Sequence, residues 1–320
     1  MKTTRHFFKW LILGVFGFLL LTACQYSQSK DIPSTSELPA PECRMVTHTQ
    51  GETCVPINPK RVVTLYLPTL GNVVALGITP IATTNEVFVG SGSQTFIPGK
   101  AEGIPLVGKS QPNLEAVLNL KPDLIVGLDW NESVYSALSQ IAPTVLGKLD
   151  HTAWPDYLSF LAEALGQQDA EEVLWQHYNQ RIEELKQALG NRYIDKTVSF
   201  IYVGSGEISV DARDSFAGGI LNDASLQRPA SQNIDSTYGA HPISMEEIDK
   251  ADGDILFVTT YSNQGEQTLK EIQQDPLWQT LKAVQESQVY YVDFMAWAAG
   301  HMLGTDAVID DLFKYLVNDI

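Results

Sequence analysis

An internal repeat is the feature that most constrains how this chain can fold. In the first half, Asp123 follows Glu115 by eight residues, and in the second half Asp254 follows Glu246 by eight residues. Each glutamate stands where a short helix would begin, because an N-cap residue lies two positions before it and a carboxylate suits the first turn. Each aspartate precedes an apolar run. Two copies of one spacing predict two halves of similar architecture.

Short apolar runs at 61–65, 198–203 and 289–292 are each followed by turn residues and a helical pattern. Continuous apolar strands that alternate with helices are typical of parallel sheets covered on both faces. The sequence therefore predicts an α/β fold of two Rossmann-like lobes, with a ligand cleft between them.

A long helical pattern at 167–190 separates the two halves. Asp169 could cap this helix and Gly190 could end it. About 20 residues at a rise of about 1.5 Å span roughly 30 Å, enough for a rigid strut between lobes at 42–166 and 191–320. Its apolar residues fall on one face at helical spacing: Leu174, Tyr178, Ile182, Leu185 and Leu189.

The N-terminus has the layout of a secretory signal peptide, 1–23, with basic residues before an apolar run at 10–23. That run is shorter than the roughly 20 residues of a membrane-spanning helix. It ends at Cys24 in Leu-Thr-Ala-Cys, which resembles a bacterial lipobox. We expect a lipid on Cys24 and a flexible tether at 24–41, which would hold the domain at a membrane on the periplasmic side of the cell envelope.

Two cysteines remain, Cys43 and Cys54, on either side of a strand-and-turn pattern. An even number of cysteines in an exported protein favours one disulfide, here across a hairpin of the first lobe, over two free thiols.

The composition argues against several classes of function. A formal net charge of −17 disfavours a nucleic-acid partner. The chain has no Gly-x-Gly-x-x-Gly motif that opens a βαβ unit, no P-loop and no Gly-x-Ser-x-Gly elbow, so we expect no enzymatic activity. The six histidines show no spacing that suggests a metal site, and we predict neither a metal nor a cofactor.

Several segments together resemble the periplasmic binding proteins for ferric siderophores and vitamin B12. The resemblance covers about residue 55 to the C-terminus and implies a fold of two α/β lobes joined by one long helix, in a monomer that serves an ABC importer. The segments are 59–63, 112–117, 120–126 and 141–145 in the first half, and 216–221, 243–246 and 275–278 in the second.

The resemblance also implies how the protein meets its partners. In this family each lobe presents a glutamate to the permease dimer, which works with ATPase subunits, and the matching residues here are Glu115 and Glu246. Glu247 is a neighbouring alternative. Each glutamate could instead serve only as a carboxylate at a helix start.

Candidate ligand residues come from two sources. Family members that bind hydroxamates place a basic residue where this chain has Lys109 or Ser110. They place aromatic residues where it has Trp130, Tyr238 and, near the C-terminus, Trp297. In doubly wound folds, moreover, ligands bind beyond the carboxyl ends of strands. Three further candidate ligand residues follow predicted strands at such positions: Tyr66, Arg213 and Tyr261.

Other roles remain open for these residues. Each aromatic side chain could pack in the core, Arg213 could pair with Asp211 or Asp214 on the surface, and Arg228, before a proline, could be structural. The cleft would then hold few cations. This favours a ferric hydroxamate or citrate–hydroxamate complex over a triscatecholate.

Haem and cobalamin remain alternative ligands within the same importer class. His241, His301 or a tyrosine could serve as an axial ligand of haem.

Overall fold

The computed structural model describes residues 43–84, 101, 103–148 and 154–318. The predicted signal peptide, Cys24 and the tether lie outside these residues. Cys43–Ile320 forms one compact unit. Within the described part of the chain, no helix is both long and apolar enough to cross a membrane.

A disulfide-bridged hairpin opens the described chain. Strands β1 (Cys43–His48) and β2 (Gly51–Pro56) pair antiparallel. The predicted disulfide between Cys43 and Cys54 is confirmed, with a Cα–Cα distance of 5.5 Å.

The first lobe contains a four-stranded parallel sheet in the order β4-β3-β5-β6. Its strands are fully buried, as expected of a parallel sheet between helices. The strands are β3 (Val62–Thr64), β4 (Ala82–Thr83), β5 (Leu124–Leu128) and β6 (Thr144–Gly147), and the helices are α1 (Leu67–Ala75), α2 (Leu114–Leu120), α3 (Glu132–Leu138) and α4 (Trp154–Leu165), with a 3₁₀ turn at Asp129–Asn131.

The second lobe contains a five-stranded sheet in the order β11-β10-β7-β8-β9. The first three of these strands run parallel, whereas β8 and β9 join antiparallel because a tight turn at 204–207 reverses the chain after β7. The predicted α/β class is confirmed, and this sheet is mixed rather than wholly parallel. The strands are β7 (Val198–Val203), β8 (Ile208–Asp211), β9 (Ala240–Ile243), β10 (Ile255–Thr260) and β11 (Val289–Tyr291).

The helices of the second half of the chain complete the fold. They are α6 (Phe216–Asp223), α7 (Asn263–Ile272), α8 (Lys282–Gln285), α9 (Phe294–Trp297) and α10 (Met302–Phe313), with 3₁₀ segments at Met245–Ala251 and Trp278–Thr280 and a π-helical turn at Lys314–Asn318.

The aspartate of each repeat accepts a backbone hydrogen bond at the start of the neighbouring strand in its own lobe. The Asp123 carboxylate accepts a hydrogen bond from Arg61 N (2.8 Å), just before β3, and the Asp254 carboxylate accepts one from Thr197 N (2.7 Å), just before β7. Both aspartates stand directly before the strand that pairs with that neighbour. The repeated spacing thus aligns the two central strands of each sheet.

Helix α5 (Gln168–Leu189) joins the two sheets, as expected of a strut. It ends at Gly190, whose positive φ of 56° suits a glycine. Asp169 does not cap it. The N-cap is Gln167, one residue after the turn at Gly166, so Asp169 lies inside the first turn, where its charge still favours the helix dipole.

A second connection, not expected from the sequence, comes from the C-terminal segment. Met302 N, at the start of α10, donates to Asn72 Oδ1 of α1 in the first lobe (2.9 Å). The His301 ring packs so closely against Gly71 that a Cβ there would collide with it. Arg181 of α5 also pairs with Asp310 of α10 (2.7 Å). The last helix therefore contacts the first lobe as well as the strut.

Candidate functional site

A cavity of about 380 Å³ lies between the lobes, at the carboxyl ends of the strands. Its walls are mainly apolar and rich in aromatic side chains, which is typical of sites that bind an organic ligand. The aromatic lining residues are Tyr66 and Trp154 from the first lobe, and Tyr202, Phe216, Tyr238, Tyr261 and Phe294 from the second lobe and the segment that follows it.

Tyr66 forms the first-lobe wall because the backbone turns sharply after β3. Its φ of 89° is uncommon for a residue with a side chain, and such conformations cost about 1–3 kcal/mol. The turn is held by a hydrogen bond from Tyr66 N to Thr84 Oγ1 (2.9 Å). The ring of Trp130 meets that of Tyr66 edge-on at 4.8 Å and is half-exposed. Trp130 thus lies beside Tyr66 and is not among the residues that line the cavity.

Tyr202 forms part of the second-lobe wall and is fixed from behind. Its hydroxyl donates to Asp211 Oδ1 (2.8 Å), and Asp211, which is fully buried, pairs with the nearly buried Arg228 at 3.0 Å. Burial raises the pKa of Asp211 although Arg228 opposes this, and burial with the nearby Asp211 charge raises the pKa of Tyr202. Arg228 is thus structural, and Tyr202 presents a neutral ring to the cavity.

The repeat also relates the cavity aromatics of the two lobes. Tyr66 lies four residues after Val62, the first residue of β3, and Tyr202 lies four residues after Val198, the first residue of β7. Val62 pairs with the first residue of β5, and Val198 pairs with the first residue of β10. Trp130 and Tyr261 are separated by the same number of residues as Glu115 and Glu246, and each follows a central strand. Equivalent points of the two sheets thus supply aromatic side chains at or beside the cavity.

Three predicted ligand residues lie elsewhere. Trp297 is 0% exposed, packs on Phe200 and Phe257, and donates from Nε1 to Asp311 (2.9 Å), so it belongs to the core. Its side chain points inward because α9 packs on β10 there. Arg213 is half-exposed and pairs with Asp235 (2.6 Å), not with Asp211 or Asp214. Neither Arg213 nor the exposed Lys109 lines the cavity.

Sequence reasoning missed four aromatic residues that line the cavity: Trp154, Tyr202, Phe216 and Phe294. A position at or just beyond a strand end could have indicated Tyr202 and Phe294. Trp154 and Phe216 are brought together by packing, with ring centroids 5.2 Å apart, and Trp154 also contacts Trp175 of α5 at 5.5 Å.

The cavity is electrically neutral in the part of the chain that the structure describes, since no Asp, Glu, Lys, Arg or His is among its lining residues. Tyrosine and serine residues are among its lining residues, although the Tyr202 hydroxyl is bonded to Asp211. Burial raises the pKa of Tyr202 and of Tyr261, which keeps both phenols protonated. No cluster of potential metal ligands occurs among the described residues. The arrangement suits an uncharged ligand whose oxygens accept hydrogen bonds.

The histidines suggested as haem ligands do not face this cavity. His301 is fully buried where the last helix meets α1, and its Nδ1 accepts a hydrogen bond from Gly304 N (3.1 Å) as the cap of α10. His241 lies on β9 outside the cavity lining.

Glu115 and Glu246 occupy matching exposed positions. Each is the second residue of a helical segment, after an Asn113 cap that accepts from Ala116 N (3.1 Å) and after Ser244, respectively. A helix that leads into a parallel strand runs opposite to it, so both glutamates lie at the end of the sheets where the cavity opens. The neighbouring Glu247 carboxylate forms an ion pair with Lys250 and accepts a hydrogen bond from Ser244 N.

The comparisons with known proteins agree with one another. A profile of the periplasmic binding protein family matches residues 62–296. The chain is 31% identical over 320 residues to the probable siderophore-binding lipoprotein YfiY of Bacillus subtilis, covering 96% of this chain and 97% of that protein.

Two further matches extend the comparison. The Fe(3+)-citrate-binding protein YfmC of Bacillus subtilis is 29% identical, over 87% of each chain. The crystal structure of Staphylococcus aureus SirA complexed with staphyloferrin B superposes with a TM-score of 0.76 at 28% identity, covering 85% of this chain and 98% of that one.

Proposed function

Because this chain belongs to the periplasmic binding protein family, we propose that it captures a ferric siderophore of the hydroxamate or citrate–hydroxamate class for an ABC importer. The family consists of solute-binding proteins, so this chain is a binding protein and not an enzyme. Its ligand is an iron complex taken up as cargo, with no resident cofactor.

The neutral aromatic cavity carries the choice of ligand class. Three hydroxamates, each with one negative charge, neutralise one ferric ion, whereas a ferric triscatecholate keeps three negative charges. Burying such an anion needs paired cations. None lines the cavity among the described residues, and Arg213 and Arg228 are each paired with an aspartate. The relatives do not decide the class of siderophore, because YfmC is named for ferric citrate and not for a hydroxamate.

A titration of intrinsic fluorescence tests this proposal. Trp154 lines the cavity and Trp130 stands beside it, so a bound ferric complex should quench their emission. We expect saturable quenching by a ferric trihydroxamate at submicromolar concentration and no saturable effect of its iron-free form. Binding of only a ferric triscatecholate, haemin or cobalamin would contradict the ligand class while leaving the importer role intact.

Delivery and anchoring complete the proposal. Glu115 and Glu246 dock on the two subunits of a permease dimer, supported by their matching exposed positions at the mouth of the cavity. A lipid on Cys24 holds the protein at the periplasmic side of the membrane. Labelled fatty acid should be incorporated into the wild-type chain, and a Cys24→Ser variant that still incorporates label would contradict the anchor.

A further inference from the structure

The turn between β7 and β8 brings a carboxylate to the edge of the cavity. In this pair of strands Tyr202 lies opposite Ser209, and both residues line the cavity. A hydrogen bond from Gly204 N to Glu207 O (2.9 Å) continues the ladder by one more step. Since side chains alternate along a strand, Glu207 shares the face of Ser209, two residues further along the chain.

Tyr261 links this carboxylate to the cavity. The Tyr261 ring lines the cavity after β10, and its hydroxyl lies directly over Gly204, where a Cβ would collide with it. Burial is the main cause that raises the pKa of Tyr261. The negative charge of Glu207 and a hydrogen bond between its carboxylate and the phenol raise this pKa further, so the two groups lie close together. The Glu207 carboxylate thus lies beside the hydroxyl of a residue that lines the cavity.

Within the described part of the chain Glu207 takes part in no ion pair, in contrast to the arginines near the cavity. Its side chain is exposed. The chain as a whole carries a formal charge of −17, which favours the approach of a cationic ligand over that of an anionic one. An acidic group beside a neutral aromatic cavity favours a cationic group on the ligand.

We infer that Glu207 receives a protonated amine at the periphery of the bound complex, so that this site prefers ferric trihydroxamates that carry such an amine. The inference rests on the proposed function. The iron centre of a trihydroxamate is neutral and suits the aromatic walls. The ammonium group donates hydrogen bonds to the Glu207 carboxylate and can lie against the ring of Tyr261.

The test compares two ferric complexes that differ only at the terminal amine. Ferric desferrioxamine B is a linear trihydroxamate that ends in a primary amine, and its N-acetyl derivative is neutral. Full-length protein purified in detergent is titrated with each complex by intrinsic fluorescence. We expect the amine form to bind about three- to fivefold more tightly, as for a partly exposed charge pair, and the preference to shrink at high salt.

Two variants locate the effect. Glu207→Gln should remove the preference for the amine while keeping affinity for the acetylated complex. Glu286→Gln makes the same charge change just after α8, at the opposite end of the second sheet, and should keep the preference. A preference that survives in Glu207→Gln, or equal binding of both complexes by the wild type, overturns the inference alone. Failure of both trihydroxamates to bind, with binding of a ferric citrate–hydroxamate, also overturns the inference alone, whereas binding of only a ferric triscatecholate, haemin or cobalamin overturns the proposed ligand class as well.

Discussion

At the scale of single residues, the difference between two arginines shows what burial does to a charge. Arg228 is 3% exposed and pairs with Asp211, which also accepts the Tyr202 hydroxyl. Arg213 is 47% exposed and pairs with Asp235. Sequence reasoning could count both arginines as possible cleft cations, but their partners depend on neighbours that only the folded lobe supplies.

Arg228→Met should strongly destabilise the protein. It leaves the Asp211 carboxylate buried without its cation, and breaking a buried pair in this way costs about 3–5 kcal/mol. Denaturant unfolding measures the change. Arg213→Met breaks an exposed pair and should cost less than about 1 kcal/mol. Equal losses in the two variants would mean that the buried pair has no special role.

His301 should make stability depend on pH. Burial lowers its pKa from 6.5 to about 4, so the folded protein resists protonation that the unfolded chain accepts. Stability from this group is therefore complete above pH 6.5 and is lost as the pH falls towards 4, by roughly 3 kcal/mol. His301→Asn keeps a residue that can cap α10. Unfolding curves at pH 7 and pH 4.5 should show a smaller loss in this variant, and the same loss as in wild type would contradict the assignment.

At the scale of elements, the hairpin of β1 and β2 covers an edge of the first sheet. Thr49 N donates to Leu146 O (3.0 Å), and Thr53 Oγ1 donates to Thr144 O (3.2 Å), both on the edge strand β6. The disulfide between Cys43 and Cys54 fixes the two strands of this cover. The hairpin thereby protects backbone groups that an edge strand would otherwise expose.

Replacing both hairpin cysteines by serine should lower the free energy of unfolding by about 2–3 kcal/mol, as expected for closing a short loop. The wild type under reducing conditions should lose a similar amount. If a reductant changes the stability of the double variant as much as that of the wild type, the effect does not come from this disulfide.

At the scale of the whole molecule, the two lobes are joined by α5 and also through the C-terminal helix α10. A single apolar cluster extends from the first sheet through α5 to the second sheet and the last helix. Together with the contacts of Met302 on Asn72, this packing favours small adjustments of the cleft over wide opening.

The double variant Glu115→Ala, Glu246→Ala should bind its ferric ligand normally but abolish uptake, because both carboxylates are exposed and neither lines the cavity. Ligand titration and iron uptake in cells measure the two effects. Glu247→Ala is the matched control and should transport normally, since that carboxylate is already held by Lys250. Normal uptake by the double variant would refute the docking role.

The amino-acid sequence by itself determined the central strands of both sheets, the strut and the two-fold repeat, but not the antiparallel strands β8 and β9. These features depend on local spacing: the periodicity of Tyr178, Ile182 and Leu185 is written along the chain, and so is the distance from Glu115 to Asp123. The disulfide also followed, because Cys43 and Cys54 flank one hairpin.

Only the tertiary structure decided which side chains form the cavity. Trp297 and Phe294 lie on the same short helix, yet Trp297 packs on β10 in the core and Phe294 lines the cavity. Likewise, the Tyr261 side chain takes its place at the cavity wall only because Gly204, on the turn after β7, leaves room for its hydroxyl. Such outcomes depend on which elements pack together across long stretches of sequence, and local pattern carries no information about that.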